Sequence, residues 1–337
     1  MNRGASGSFG KKRTGDPHPY PSLHEPEREG IFILAKKSQY SGMSRALVRR
    51  ETISGYLFLL PSLFFFLVFV IYPMIMCVWT SLFDSTMGAN TKDVFIGLSN
   101  YIELFKDPIF IKALINTLII VVVSVPAVCA FSLWVSSRIY NMKDWACSIF
   151  RVIFYLPVVT GSVAVTVVWK WMFNNYYGIF NYVGKGIGLL DKNINWLGDP
   201  RFALGCIILI LFTTSVGQPI VLYVSALGNV DPSLVEAASV DGATNFQVFW
   251  KIKWPQIMPT TLYILVITTI NSFQCFALIQ LLTSGGPNHA TDTIMYYIYY
   301  TCFTLYRYGY ANAMGVVLAI FIAILSAVQF RLGKTAE

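Results

Sequence analysis

Residues 233–260 read SLVEAASVDGATNFQVFWKIKWPQIMPT, and this stretch decides the fold. It is moderately polar and helix-forming, yet it lies between two of the most hydrophobic parts of the chain. Asp231, Glu236 and Asp241 frame its first half, Gly242 interrupts it, and Lys251 and Lys253 close it before Pro255 and Pro259. An ordinary turn between membrane helices needs far less sequence; two short helices that cap the inner side of a pore need about this much. Ala237 and Ala238 favour helix, and Ser233 with Glu236 three residues on reads as its cap. Gly242 permits a bend or a close backbone approach that a side chain would block. Phe246, Phe249 and Trp250 recur at three-and-four spacing, which predicts one apolar face on the second helix. Pro255 and Pro259 are expected to turn the chain back to the bilayer. The bland alternative is an amphipathic loop that touches only lipid.

Composition sets the surroundings of this segment. The 337 residues are 55% hydrophobic and only 12% charged, with a mean hydropathy of +0.58. A soluble chain carries about a quarter charged residues to cover its surface, so the expectation is an all-α polytopic membrane protein. The 24 glycines and 15 prolines fit that class, because membrane helices tolerate both when neighbours satisfy the freed backbone groups. The six cysteines form no CxxC pair and read as small buried hydrophobes. No metal cluster is expected.

Six spans are expected, each needing about twenty residues. Residues 52–83 are uncharged for 32 positions. The next runs are 113–137 and 152–169, the latter extending to Trp171, then 202–230. Residues 254–291 stay uncharged for 38 positions, so the fifth span occupies part of them, about 260–282, and the sixth is 308–330. With the amino terminus inside, the inner segments hold 17 of the 25 Lys and Arg residues. That bias places both termini and the 233–260 segment in the cytoplasm.

Residues 1–50 carry ten Lys or Arg against four acids. They read as a basic cytoplasmic tail, with 31–50 as an amphipathic helix at the lipid surface. A nucleic-acid partner is not expected, since neither zinc spacing nor an aromatic-interleaved basic patch is present. The outer loops at 84–108 and 170–201 are rich in aromatics, including Trp171, Tyr176, Tyr177, Tyr182 and Trp196. Either they form an interfacial belt or they meet an extracytoplasmic partner. His289 reads as a lone loop histidine.

The quoted segment also carries a resemblance. EAASVDGA, followed by Ile252 and Pro255, resembles the cytoplasmic "EAA" loop of bacterial ABC importer permeases, closest to the binding-protein-dependent sugar permeases of the maltose and glycerol-3-phosphate type. A second stretch resembles the first-type permease subunit: Thr283, Gly285, Gly286, Pro287 and Thr291, then Gly309, Tyr310, Ala311 and Ala313. The resemblance covers residues 54–332 and leaves the tail aside; the large periplasmic insertion of the maltose-type large subunit is absent.

The resemblance implies the type I importer permease fold, with the permease domain at 51–333 and coupling helices at 233–258. It implies a second homologous permease, two ATPase subunits beneath and an extracytoplasmic solute-binding protein that delivers a carbohydrate. Glu236, Ala237, Ala238, Asp241 and Gly242 then fall in the part that sits on the ATPase. ATP and Mg belong to those partners, and this chain lacks the GxxxxGKS/T phosphate loop. The resemblance thus implies a transport subunit of the bacterial inner membrane rather than an enzyme.

For the translocation path the candidates are Asn271 and Gln274, which share a helix face three residues apart, with Tyr263, Phe273 and Phe276 alongside. Amides and aromatic faces suit a sugar's hydroxyls and C–H faces, although the same groups also serve as interhelical glue. Gly285, Gly286 and Pro287 read as a tight turn at the periplasmic mouth. An ion-coupled secondary carrier is disfavoured, since no carboxylate lies inside a span. Glycerol-3-phosphate or another anion would want a cation that the fifth span lacks, which points to a neutral mono- or oligosaccharide; a polyol stays open.

Overall fold

The computed structural model describes residues 45–86 and 93–334, with only the backbone of 45–48, 50, 51 and 334. The tail at 1–44, and with it most of the expected surface helix at 31–50, lies outside the described residues. The chain divides into two compact units between Tyr72 and Pro73, inside the first apolar run.

The first unit is helix α1 (Arg45–Phe66) and a π turn, Leu67–Ile71. From Ile53 to Val70 its large apolar side chains are exposed, with Phe58 at 85%. A helix that is apolar on all sides suits lipid or other helices rather than water.

The second unit contains helix α2 (Tyr72–Thr80), a short antiparallel ladder of β1 (Phe83–Asp84) and β2 (Val94–Phe95), and helices α3 (Ser99–Leu104) and α4 (Pro108–Ile139). Next come α5 (Asp144–Val159), α6 (Ser162–Met172), α7 (Ile179–Gly186), α8 (Pro200–Ser215) and α9 (Gly217–Gly228). After them stand α10 (Pro232–Val240), α11 (Asn245–Val248), a second π turn at Phe249–Lys253, α12 (Trp254–Phe273), α13 (Ala277–Leu282), α14 (Ile294–Phe303) and α15 (Tyr308–Lys334).

Among the described residues four helical stretches are long and apolar enough to cross a membrane: Thr52–Thr80, Pro108–Ile139, Asn245–Leu282 and Tyr308–Gly333. Two bent pairs bring the number up to six when each is counted as one broken span. The pair α5 and α6 bends by 95°, and the pair α8 and α9 by 41°. The expected third and fourth spans are therefore broken helices, because Gly161 caps α6 and Gly217 opens α9.

Helix α4 is the axis of the second unit, packing on α8, α9, α12 and α14. Asp107 caps it, accepting from the Ile109 amide at 2.8 Å with Pro108 at the first turn, where the missing proline N–H costs nothing. One core beside it gathers Phe110, Phe273, Tyr310 and Met314. Another gathers Tyr223, Leu227, Ile257 and Ile264.

Pro255 and Pro259 do not turn the chain as expected. Pro255 sits in the first turn of α12 and Pro259 inside it. The π turn just before supplies the irregular backbone, so the fifth span grows directly out of the 233–260 segment rather than starting at residue 260.

Candidate functional site

Helix α10 is capped by Asp231, whose carboxylate accepts from the Ser233 amide at 2.9 Å, with Pro232 in the first turn. The expected cap at Ser233 is thus displaced by two residues, because Pro232 has no N–H to give and Asp231 precedes it. Hydrogen bonds from the Ser233 amide and hydroxyl hold the Asp231 carboxyl below its ordinary range.

Helix α10 ends in a Schellman motif. The Ala243 amide donates to Ala238 O at 2.9 Å and the Gly242 amide to Ser239 O at 3.2 Å. Gly242 has φ +78°, a conformation that glycine takes freely. Thr244 then starts α11 with a capping box, its own amide donating to Gln247 Oε1 at 2.8 Å. Two helices meet at a defined angle with only four residues between them.

The outer face of this pair is open. Glu236, Ala237, Asp241 and Gly242 are exposed and Ala238 is half-buried. Val240 is 88% and Phe246 72% exposed, and a concavity of about 420 Å³ is lined by Ala238, Asp241, Gly242, Ala243, Gln247 and Lys251. Full burial of Val240 and Phe246 under a partner is worth about 1.5–3 kcal/mol each. An exposed carboxylate pair contributes about 0–1 kcal/mol. On these magnitudes apolar contact outweighs the carboxylates in what this face could offer to a partner.

Deeper in the second unit, Tyr263 and Asn271 project from α12 into a cleft of about 150 Å³. Thr268 of α12 joins their polar lining, and Thr214, Ser215 and Gln218 add to it from both sides of the break between α8 and α9. The break is built by close packing: a Cβ on Gly217 would lie 2.4 Å from Phe154 O on α5. Helix α5 in turn stops at its own bend beside Val158, which also lines the cleft. Two interrupted spans and α12 converge here, the kind of place where membrane transporters expose polar backbone and side chains.

The other path candidates lie elsewhere. Phe273 is fully buried against Phe321, with ring centroids 6.0 Å apart, and so faces the core. Gln274 sits just past the end of α12 and does not share a helical face with Asn271. Phe276 is half-buried against Tyr299, centroids 4.8 Å apart. Of the five, only Tyr263 and Asn271 share the cleft.

Gly285, Gly286 and Pro287 form a tight turn between α13 and α14. Thr283 and Thr291 close it with a 2.8 Å hydroxyl contact, and Thr291 donates to Gly286 O at 2.7 Å. Gly285 has φ +80°, and a Cβ there would lie 1.9 Å from Asp292 Oδ1. His289 is not alone: its Nδ1 is 2.6 Å from Asp292 Oδ2. Burial pushes the Asp292 carboxyl up from its ordinary range, and His289 pulls against that. Among the described residues no cluster of His, Cys, Asp and Glu is placed to hold a metal ion.

Residues 94–335 match the family described as binding-protein-dependent transport system inner membrane component. The chain belongs to that family. It is similar to the probable ABC transporter permease protein YurN of Bacillus subtilis, 33% identical over 86% of this chain and 99% of that one. It is also similar to the lactose transport system permease protein LacF of Rhizobium radiobacter, 32% identical over 85% of this chain and 95% of that one. Among solved structures, a bacterial ABC transporter involved in the import of the acidic polysaccharide alginate aligns with TM-score 0.72 at 25% identity, covering 86% of this chain and 97% of that chain.

This protein is accordingly a multi-pass inner-membrane permease subunit of a carbohydrate-type ABC importer, working with a second permease, ATPase subunits and a solute-binding protein. In this permease the Gly309, Tyr310, Ala311 and Ala313 run has a structural basis. A Cβ on Gly309 would lie 1.9 Å from Phe83 O, Ala311 and Ala313 are buried, and Tyr310 donates to Asp107 Oδ2 at 2.9 Å.

Asp107 escaped sequence reasoning, since its partners Tyr297 and Tyr310 are far along the chain. The only local signal was Asp-Pro at the start of an apolar run, which announces a cap. Gln218 escaped as well; the Gly217 and Pro219 around it were the available sign of a broken helix.

Proposed function

We propose that this subunit translocates a neutral mono- or oligosaccharide through a site to which it contributes Asn271, Tyr263 and Gln218. The supporting observation is the cleft at the two helix breaks, whose lining offers hydroxyl and amide groups and no cationic side chain. Ligand pockets usually enclose about 300–1,000 Å³, so a cleft of about 150 Å³ is one wall of a site that the second permease completes. The names of relatives add support for a carbohydrate, lactose in one case and multiple sugars in another from Streptococcus mutans.

In this reading both termini face the cytoplasm, and the 231–253 segment seats on an ATPase subunit. The Gly285, Gly286 and Pro287 turn lies at the opposite, periplasmic mouth. ATP-driven closure of the ATPases moves the segment and switches the cleft between inward and outward access.

An acidic sugar is a second reading, favoured by Arg151. It lines a groove of about 560 Å³ that shares Gln218 and Leu222 with the polar cleft. The test is uptake into proteoliposomes holding the full complex and its binding protein. Neutral mono- and oligosaccharides, uronate oligosaccharides and glycerol-3-phosphate would be compared. Uptake of a neutral sugar alone supports the first reading; uptake of charged ligands alone replaces it with the second.

A further inference from the structure

We infer that Tyr140 and Lys253 form a latch that passes movement of the docking segment to α4, and through α4 to the substrate cleft and the outer mouth. This rests on the docking role proposed above for residues 231–253. Lys253 closes the π turn between the docking helices and α12. Its ammonium donates to the Tyr140 hydroxyl, and the nitrogen also lies 4.7 Å from the centroid of the Tyr140 ring. Tyr140 is the C-cap of α4 and packs against two separate buried clusters, one with Val216 and Ile220 and one with Tyr223 and Ile257.

What makes the contact more than a local tie is the rest of α4. A helix of 32 residues is about 48 Å long at 1.5 Å per residue, well beyond a hydrocarbon core of about 30 Å. Near the latch, Ser136 donates to Ile220 O at 3.0 Å and Ser132 to Val216 O at 3.3 Å. Val216 is the residue at which α8 ends and α9 begins, so α4 is bonded to the break that forms the cleft. Halfway along, the Ser124 and Ser272 hydroxyls meet at 3.3 Å, one residue from Asn271.

At the far end, Lys112 donates to Asn288 O at 2.7 Å and Asn116 to Asp292 O at 3.0 Å. There the Ile294 amide donates to Thr117 Oγ1 at 3.0 Å. One helix, continuous from Pro108 to Ile139 with Pro126 inside it, therefore holds the docking segment, the cleft and the outer loop by side-chain hydrogen bonds. Lys253 and Tyr140 are positioning residues: they touch no substrate but fix where the docking segment pulls.

A π turn is a break in helical regularity that absorbs displacement. Without the latch it would let the docking helices move while α4 stayed still. ATP hydrolysis would then continue with less transport.

The readout is substrate taken up per ATP hydrolysed, in proteoliposomes holding the whole complex and its binding protein. Lys253→Met and Tyr140→Phe are compared with wild type, with Lys253→Arg as the conservative rescue and Gly242→Trp as the control for docking. The inference expects uptake per ATP to fall several-fold in Lys253→Met, less in Tyr140→Phe because the ring still faces the cation, and to recover in Lys253→Arg. If uptake per ATP is unchanged in both Lys253→Met and Tyr140→Phe while Gly242→Trp abolishes coupling, the latch is overturned and the docking role stands. If Gly242→Trp also leaves uptake and ATPase activity unchanged, the docking role itself fails. Should Lys253→Met not assemble, Tyr140→Phe decides alone, since it removes one oxygen and leaves the packing in place.

Discussion

The hydroxyl of Tyr297 donates to Asp107 Oδ2 at 2.7 Å, joining residues 190 apart in sequence. Tyr310 donates to the same oxygen at 2.9 Å, and Asp107 also caps α4. A single carboxylate thus ties α4, α14 and α15 together on the side of the molecule away from the docking segment. Loss of the cap alone costs about 0.5–2 kcal/mol, and each bond from a hydroxyl to a charged group about 1.5–3 kcal/mol; partial exposure reduces the second figure. Asp107→Ala is expected to destabilise by about 2–3 kcal/mol, and Tyr297→Phe by about 1 kcal/mol. Thermal unfolding in detergent, followed by tryptophan fluorescence, measures both.

The same site predicts an acid dependence. Burial raises the Asp107 carboxyl, but the hydrogen bonds from Tyr297, the Ile109 amide and Tyr310 outweigh it, and the pKa sits below the ordinary 3.8. A carboxyl depressed in the folded state contributes stability that is complete above its unfolded value and is lost as pH falls through the folded one. The wild-type melting temperature is therefore expected to drop below pH 3.8, and the Tyr297→Phe, Tyr310→Phe double variant to start lower and fall less over that window. Melting curves at stepped pH check this.

Three glycines should answer differently to alanine. At Gly309 the new methyl would meet backbone at 1.9 Å, at Gly285 the Asp292 carboxylate at 1.9 Å, and at Gly242 nothing within 4 Å. Overpacking costs about 1–3 kcal/mol, whereas a left-handed residue without a clash costs about 1–2 kcal/mol. Gly309→Ala is expected to be the most destabilising, since a backbone carbonyl cannot swing aside, and Gly242→Ala the least. Yields of folded protein after size-exclusion chromatography, with melting temperatures, give the order.

The cleft predicts a substrate effect without a stability effect. Asn271 is exposed in this subunit, so Asn271→Ala removes no internal packing. One lost hydrogen bond to a sugar hydroxyl is worth about 1 kcal/mol, or about fivefold in apparent KM. Uptake at varied concentrations of the binding protein loaded with sugar should show that change, while Phe273→Tyr, in the core, should instead lower the melting temperature.

Much of this was legible in the chain itself. The two short helices of 233–260 were readable because their signals are local: Ala237 and Ala238 for the first, then Gly242 at the break. The turn at Gly285, Gly286 and Pro287 was readable for the same reason. The bends at Gly161 and Gly217 were missed, because the spans were read from hydropathy, which counts apolar residues and is blind to the direction of the axis, and the Gly217 and Pro219 sign was not used. The face of α12 was misjudged at Phe273, since its core side is chosen by packing on Phe321, far along the chain. His289 looked solitary only because its partner, Asp292, sits across a turn whose geometry depends on Gly285.

The account's central claim is that helices α10 and α11 carry the ATPase contact, and Ala237→Trp tests it most directly. Ala237 is exposed on a regular helix, so an indole there leaves the subunit's own packing intact and blocks only close approach by a partner. Binding-protein-stimulated ATPase activity and sugar uptake would be measured on the reconstituted complex, with the subunit's melting temperature as control. The account predicts an unchanged melting temperature with both activities lost. Full stimulated activity and full uptake in Ala237→Trp would contradict it and leave the segment a passive loop.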